Sequence, residues 1–503
     1  MMALAYKFVI FFLLIISHVK KTTTTTASTP YDFRKSTGVI NFVSVKSNNE
    51  LTPSVTPCIV TKPTPGNIQE VTFNFSNMGL QKIGPEFIKS DDIISLILDT
   101  NSISDISQYA FRRMRNLHYL NLSGNRISKE KILSFNGTDR LMTLIINNNS
   151  DDSTVDELKE YAIFHNLRNL YLSNSQLENM QIPFNITTPR LTSLYLSNNN
   201  ITSKVVFDNI PWTLTHLYLD RNSIDRVEHD KLRYLQELVM NNNIITKVCL
   251  ECSGESISLK SATNMRKLIL SENVISEVSP DAFRNTGRLQ NLDLSNNKIV
   301  NLDNDTFSNM LRLINLSLAN NILTAVPNVC SMTQLKILNL AGNRIGAVRS
   351  NSFKCSMQLE NLFLSNNNMT TIETGAFFYL TSLKYLDLSK NHLKELPTSW
   401  SHVTYNDYNY RNYNSSNGLQ ELHLEQNNFN TLADISLNGL TFLQHVYIDE
   451  NPILTLNVKH MKNLPSQLTF HVRNMQEKPD IILPIEPITD YSDEENEQSN
   501  EWV

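Results

Sequence analysis

Aliphatic residues along most of this chain recur in one frame: apolar, two variable residues, apolar, one variable, apolar, and three residues later an amide. Clear copies are Leu117, Leu120, Leu122, Asn125, Ile127 and Leu289, Leu292, Leu294, Asn297, Ile299, with Leu383, Leu386, Leu388, Asn391, Leu393 further on. Most frames lie 24 residues apart. A fixed period of about 20–50 residues specifies stacked units, because one unit cannot bury its apolar edge alone. Within each frame apolar and polar positions alternate with period 2. That predicts a short strand with its aliphatic residues inward and the residue between them outward.

The amide position runs Asn101, Asn125, Asn149, Ser175, Asn199, Asn222, Asn243, Asn273, Asn297, Asn321, Asn343, Asn367, Asn391, Asn427 and Asn451. An Asn side chain both donates and accepts, so it can bond the backbone that stacking buries. Ser175 substitutes for it in part. A degenerate unit precedes the series at Ile68, Val71 and Phe73, which gives 16 repeats over about residues 68–456. Phe87, Phe111, Phe283, Phe307, Phe353 and Phe377 recur at a second position. They are expected to fill the core behind the sheet.

The frame matches the leucine-rich repeat consensus. The chain resembles extracellular leucine-rich repeat proteins: Toll-like receptor ectodomains, invertebrate adhesion and immune repeat proteins, and small leucine-rich proteoglycans. The resemblance implies an α/β leucine-rich repeat solenoid, a curved horseshoe with a parallel β-sheet on its concave face. It also implies partner binding on that concave wall, often with dimerisation. The chain departs from the many relatives that carry four-cysteine caps at both ends. Here Cys58 alone precedes the repeats and no cysteine follows Cys355.

Outside the repeats, residues 1–17 read as a signal peptide, with Lys7 before the apolar run Phe8 to Ile16. No later stretch approaches membrane-spanning length. An exported, secreted chain in the extracellular space or matrix is expected. Residues 18–57 are rich in Thr and Ser and read as disordered, and residues 58–67 lead into the solenoid. Residues 457–478 close it. The acidic tail, 479–503, carries eight acids and no Lys or Arg, so residues 1–478 hold a net charge of +3 against −5 for the whole. A near-neutral body excludes a nucleic-acid footprint.

Ten Asn-x-Ser/Thr sequons fit export: Asn74, Asn121, Asn136, Asn148, Asn185, Asn200, Asn304, Asn315, Asn368 and Asn414. Cys330 and Cys355 fall at similar places in successive repeats and are within bridging reach by stacking. Cys249 and Cys252 lie in an insertion that stretches one step to 30 residues, where a loop-bracing disulfide is expected. Cys58 is left unpaired, so a homo- or heterodimer through it is one expectation. Tyr491, among acids, is a candidate sulfation site.

No catalytic signature occurs, so no enzyme activity, cofactor or metal is expected. The binding candidates lie on the concave wall. Tyr171, Tyr195 and Tyr218 occupy the central outward position of three consecutive strands, and adjacent strands lie about 4.8 Å apart. They should form an exposed ladder, with Asn169, Ser193, His216, Asp220 and Arg221 beside it. Tyr gives binding surfaces large area at low entropy cost. A second candidate is Tyr405, Tyr408, Tyr410 and Tyr413, in the insertion that lengthens one step to 36 residues. A third patch, Glu421, His423, Glu425, His445, Tyr447 and Asp449, reads as a solvated acidic face, with metal binding or pH sensing as its alternative. The expected function is non-enzymatic recognition of an extracellular protein or glycan-bearing macromolecule, such as a receptor, immune or adhesion partner. The alternative is a structural matrix component acting through the acidic tail.

Overall fold

The computed structural model describes residues 39–41, 71–149, 160–178, 182–252, 254–397, 418–437, 440–453, 455–457, 467–472 and 480–482. The expected leader, Cys58, Tyr405, Tyr408, Tyr410, Tyr413, Asn414 and Tyr491 lie outside these residues.

Each frame forms a three- to five-residue strand, and the strands stack in parallel into one 18-stranded sheet. Its first strand is Val39–Asn41 and its last Thr469–His471. The sixteen between them, from Val71–Asn74 to His445–Tyr447, correspond to the sixteen repeats read from the frame. Val39–Asn41 falls inside the segment read as disordered. Asp480–Ile482, at the start of the acidic tail, pairs in parallel with Thr455–Asn457.

Register keeps like positions together. Leu170, Leu194, Leu217, Leu238, Leu268 and Leu292 align across successive strands and are all buried. Burying one such side chain stabilises by about 1.5–3 kcal/mol, a gain each repeat realises only against its neighbours. Phe111, Phe283, Phe307, Phe353 and Phe377 are buried behind the sheet as expected, while Phe87 is half-buried against the same core. Phe135 and Phe164 extend the spine, with ring centroids 5.5 and 5.8 Å apart from Phe111 onward.

The amide ladder works as its chemistry requires. Asn297 Nδ2 donates to the carbonyls of Leu270, Leu294 and Ser295 at 3.0–3.1 Å, and its Oδ1 accepts the Ile275 N–H at 3.0 Å. The Ser175 hydroxyl has one proton to give and lies within reach of two of the corresponding carbonyls, Ile146 at 3.1 Å and Ser173 at 3.2 Å. The residue just before each ladder amide is left-handed. Asn148, Asn174, Asn198, Asn242, Asn296, Asn320 and Asn366 have φ of 53–56°, and Gly342 has 69°. Asn and Gly tolerate that region best, which accounts for the recurrent Asn-Asn pairs.

Cys330 and Cys355 are bonded at 2.06 Å, as expected from their stacking. Cys249 and Cys252 are also paired, with Cα atoms 6.1 Å apart. The insertion that holds them is not a bare loop. Ser256–Ser258 adds to Lys247–Cys249, which pairs on its other side with Glu277–Val278, so the extra residues form an outer parallel sheet.

Candidate functional site

The central outward position forms a column down the concave wall. In it Tyr171 is paired with Tyr195, and Tyr195 with Tyr218. Their rings stack nearly parallel, with centroids 4.1 and 4.3 Å apart and interplanar angles of 8° and 4°. That is closer than the strand spacing of about 4.8 Å, so each ring leans on the next. The expected exposed ladder is therefore half-buried, its ring faces occupied by stacking.

Burial pushes all three phenols up, since a phenolate would be poorly solvated there. Tyr195 and Tyr218 reach about 12, helped by the neighbouring Tyr218 and Glu237 respectively. The ladder is thus a row of neutral hydroxyls. Tyr218 donates to Glu237 Oε2 at 3.2 Å, and Lys267 lies 3.6 Å from the same oxygen. His216 Nε2 is 3.9 Å from Glu237, and its Nδ1 meets the Thr215 hydroxyl at 2.8 Å. Asp220 accepts from Ser197 at 2.5 Å. Arg221 takes the left-handed turn position, with φ 56° and an exposed side chain. Asn169 and Ser193 lie in the His216 column.

The same column continues on both sides. Ile145 pairs with Tyr171, and Tyr218 pairs with Val239, which pairs with Ile269. All three are half-buried. The tyrosines therefore sit within an apolar stripe six strands long. Sequence reasoning missed its flanks, although the same column of the frame contains them.

The C-terminal patch differs from expectation. It is a second stack rather than a solvated acidic face. His423 lies parallel to Tyr447 at 4.2 Å and 6°, and Tyr447 to His471 at 4.1 Å and 10°. Both His423 nitrogens are held at 2.9 Å, Nε2 by Glu421 and Nδ1 by Glu425. Burial is the largest influence on His423 and works against its charge. The bonds to Glu421 and Glu425, with the charge of Asp387, outweigh it and lift the imidazole to about 9. The bond to His423 also holds the Glu421 carboxyl below the usual range. His471 Nε2 meets His445 Nδ1 at 3.2 Å. Among the described residues no His, Cys, Asp and Glu group is placed to hold a metal ion.

Six sequon asparagines are exposed: Asn136, Asn148, Asn185, Asn200, Asn304 and Asn368. Asn74, Asn121 and Asn315 are half-buried on concave strands, and Asn315 Nδ2 donates to Asn291 at 2.5 Å. No helix among the described residues is long and apolar enough to cross a membrane.

Comparison with known proteins agrees with this geometry. The family model for the leucine-rich repeat matches residues 73–127, 93–150, 233–299 and 333–393, and a second Leucine Rich Repeat model matches 190–210. The chain carries leucine-rich repeats. It is 29% identical over 160 residues to the human Leucine-rich repeats and immunoglobulin-like domains protein 3, a match covering 31% of this chain and 14% of that protein. It is 27% identical over 164 residues to an Arabidopsis thaliana homolog of Protein phosphatase 1 regulatory inhibitor subunit PPP1R7, covering 31% of this chain and 49% of that one. The chain thus spans less than half the length of either curated relative. The structure described as the Toll–Spatzle complex of Drosophila shares the fold at TM-score 0.58 and 19% identity, over 80% of this chain and 56% of that one.

Proposed function

We propose that this leucine-rich repeat protein, a fold built for macromolecular interaction, is secreted and binds an extracellular macromolecule on its concave wall without catalysis. The observation that carries the reading is the stack of Tyr171, Tyr195 and Tyr218 inside an apolar stripe. Its hydroxyls stay neutral, and its rings are already ordered before a partner arrives. A preordered aromatic surface loses little entropy on binding. His216, Asp220 and Arg221 rim it. The Toll–Spatzle complex is made by a protein with this fold. Sequons at Asn121 and Asn315 lie beyond the two ends of the ladder, Asn121 pairing with Ile145, so glycans there would leave the three tyrosines uncovered. Export rests on the apolar run after Lys7 and on the sequons.

The test is affinity capture from extracellular fluid and cell extract, with wild type against the combined Tyr171→Ala, Tyr195→Ala and Tyr218→Ala variant. A partner lost with the variant, while its melting curve stays close to wild type, is the expected result. A partner kept by the variant but lost on removal of residues 479–503 would move the function to the acidic tail and a matrix role.

A further inference from the structure

We propose that a cleft on the shoulder of the wall, on the same repeats as the tyrosine ladder, binds an anionic sugar residue of a glycan chain. This is a separate site, and it stands whether or not the ladder binds a partner. The cleft holds about 590 Å³, within the range of about 300–1,000 Å³ usual for ligand sites. It opens where the turns enter the concave strands His216–Tyr218 and Glu237–Val239.

Two aromatic residues on successive turns line it. Trp212 is 73% exposed, the highest figure for a large hydrophobic residue among those described, and Tyr234 is 48% exposed. Both rings therefore present open apolar surface at the cleft. Flat rings with a polar edge suit the C–H face of a pyranose, while the Trp N–H and Tyr O–H remain for hydrogen bonds.

The polar lining selects the charge. Arg168 and Gln236 precede their strands, and their side chains make no hydrogen bond among the described residues. Arg190 uses one nitrogen on Asn166 at 2.7 Å and keeps the rest of its fork. The hydroxyls of Thr192 and Thr213 each donate to a backbone carbonyl, at 3.0 and 2.7 Å, so their oxygens are left as acceptors, while the Thr215 hydroxyl is already shared between the Thr192 carbonyl and His216 Nδ1. No Asp or Glu lines the cleft. A cation would meet two guanidinium groups and no counter-charge. A wholly apolar ligand would cover those groups without pairing them, which is costly. A hydroxyl-rich ring bearing a carboxylate or sulfate satisfies the donors, the acceptors and the aromatic faces together.

Calorimetric titration of the full chain would use three probes: a heparin tetrasaccharide, a hyaluronan tetrasaccharide and neutral maltotetraose. The first two separate sulfate from carboxylate. Binding of at least one acidic probe is expected, with the neutral one about tenfold weaker or more. Trp212→Ala and Arg168→Gln should each weaken it about tenfold, at an unchanged melting temperature. Arg126→Gln, an exposed arginine on a distant repeat, should leave it unchanged. Failure of both acidic probes to bind overturns the proposal. So does binding that ignores Trp212→Ala, or that falls equally with Arg126→Gln, since either would mean diffuse charge attraction. A captured partner that needs Trp212 even after its glycans are enzymatically removed would make the cleft a protein-docking surface and overturn the glycan assignment.

Discussion

The tyrosine ladder at Tyr171, Tyr195 and Tyr218 and the mixed stack at His423, Tyr447 and His471 occupy the same column of the same sheet, at nearly the same spacing. Their geometry is one consequence of in-register parallel strands. Their chemistry is opposite. The first stack is neutral, flanked by Ile145, Val239 and Ile269, and indifferent to pH until the phenols titrate. The second has an imidazole clamped between two carboxylates that favour its charged form. A solenoid column thus fixes where side chains meet, and the residue placed there decides whether the meeting is a surface or a joint.

The largest test of this contrast is binding. Replacing the three ladder tyrosines by Ala should lower affinity for a concave-wall partner about 100-fold or more, whereas Tyr447→Ala should leave it nearly unchanged. Surface plasmon resonance with the captured partner reads both, and equal losses would erase the distinction.

Next is stability. His423→Leu removes the cation and leaves the Glu421 and Glu425 carboxylates without their partner. It should cheapen local opening at Glu421–His423 by about 2 kcal/mol, a figure reduced from that of a fully buried pair because water reaches Glu421. Tyr195→Leu should cost about 1 kcal/mol. Hydrogen exchange resolved by repeat would show whether the two sites differ.

A pH series separates them further. The His423 imidazole is raised in the folded state from 6.5 to about 9. Its contribution is therefore fully present below 6.5 and is lost as pH rises through about 9. Exchange at the C-terminal stack should accelerate between pH 7 and pH 10, after correction for the intrinsic rate. The same rise should not loosen Tyr195 and Tyr218, whose phenols titrate at about 12. A His423→Phe variant, which keeps a ring in the column, should abolish the pH response.

The smallest effect is at the ladder's end. Glu237→Gln removes the neighbouring negative charge that helps raise the Tyr218 phenol but leaves burial, so the phenol should titrate lower without returning to 10. Ultraviolet titration would detect it, and an unchanged curve would assign the whole shift to burial.

The sequence by itself determined the repeat frame, the strand positions, the amide ladder and the identity of the central column, because a period-2 strand inside a 24-residue repeat fixes which side chains face out. Tyr171, Tyr195 and Tyr218 were legible for that reason, as was the Cys330–Cys355 bridge. What the fold decided is how those side chains meet. Ring stacking turned an exposed ladder into a half-buried one. Two carboxylates closing on His423 turned an apparent acidic face into a charged joint. Trp212, Tyr234, Arg168 and Gln236 gave no sign of a shared cleft, since they lie on turns and strand entries of different repeats. Only the stacking of those repeats brings them together.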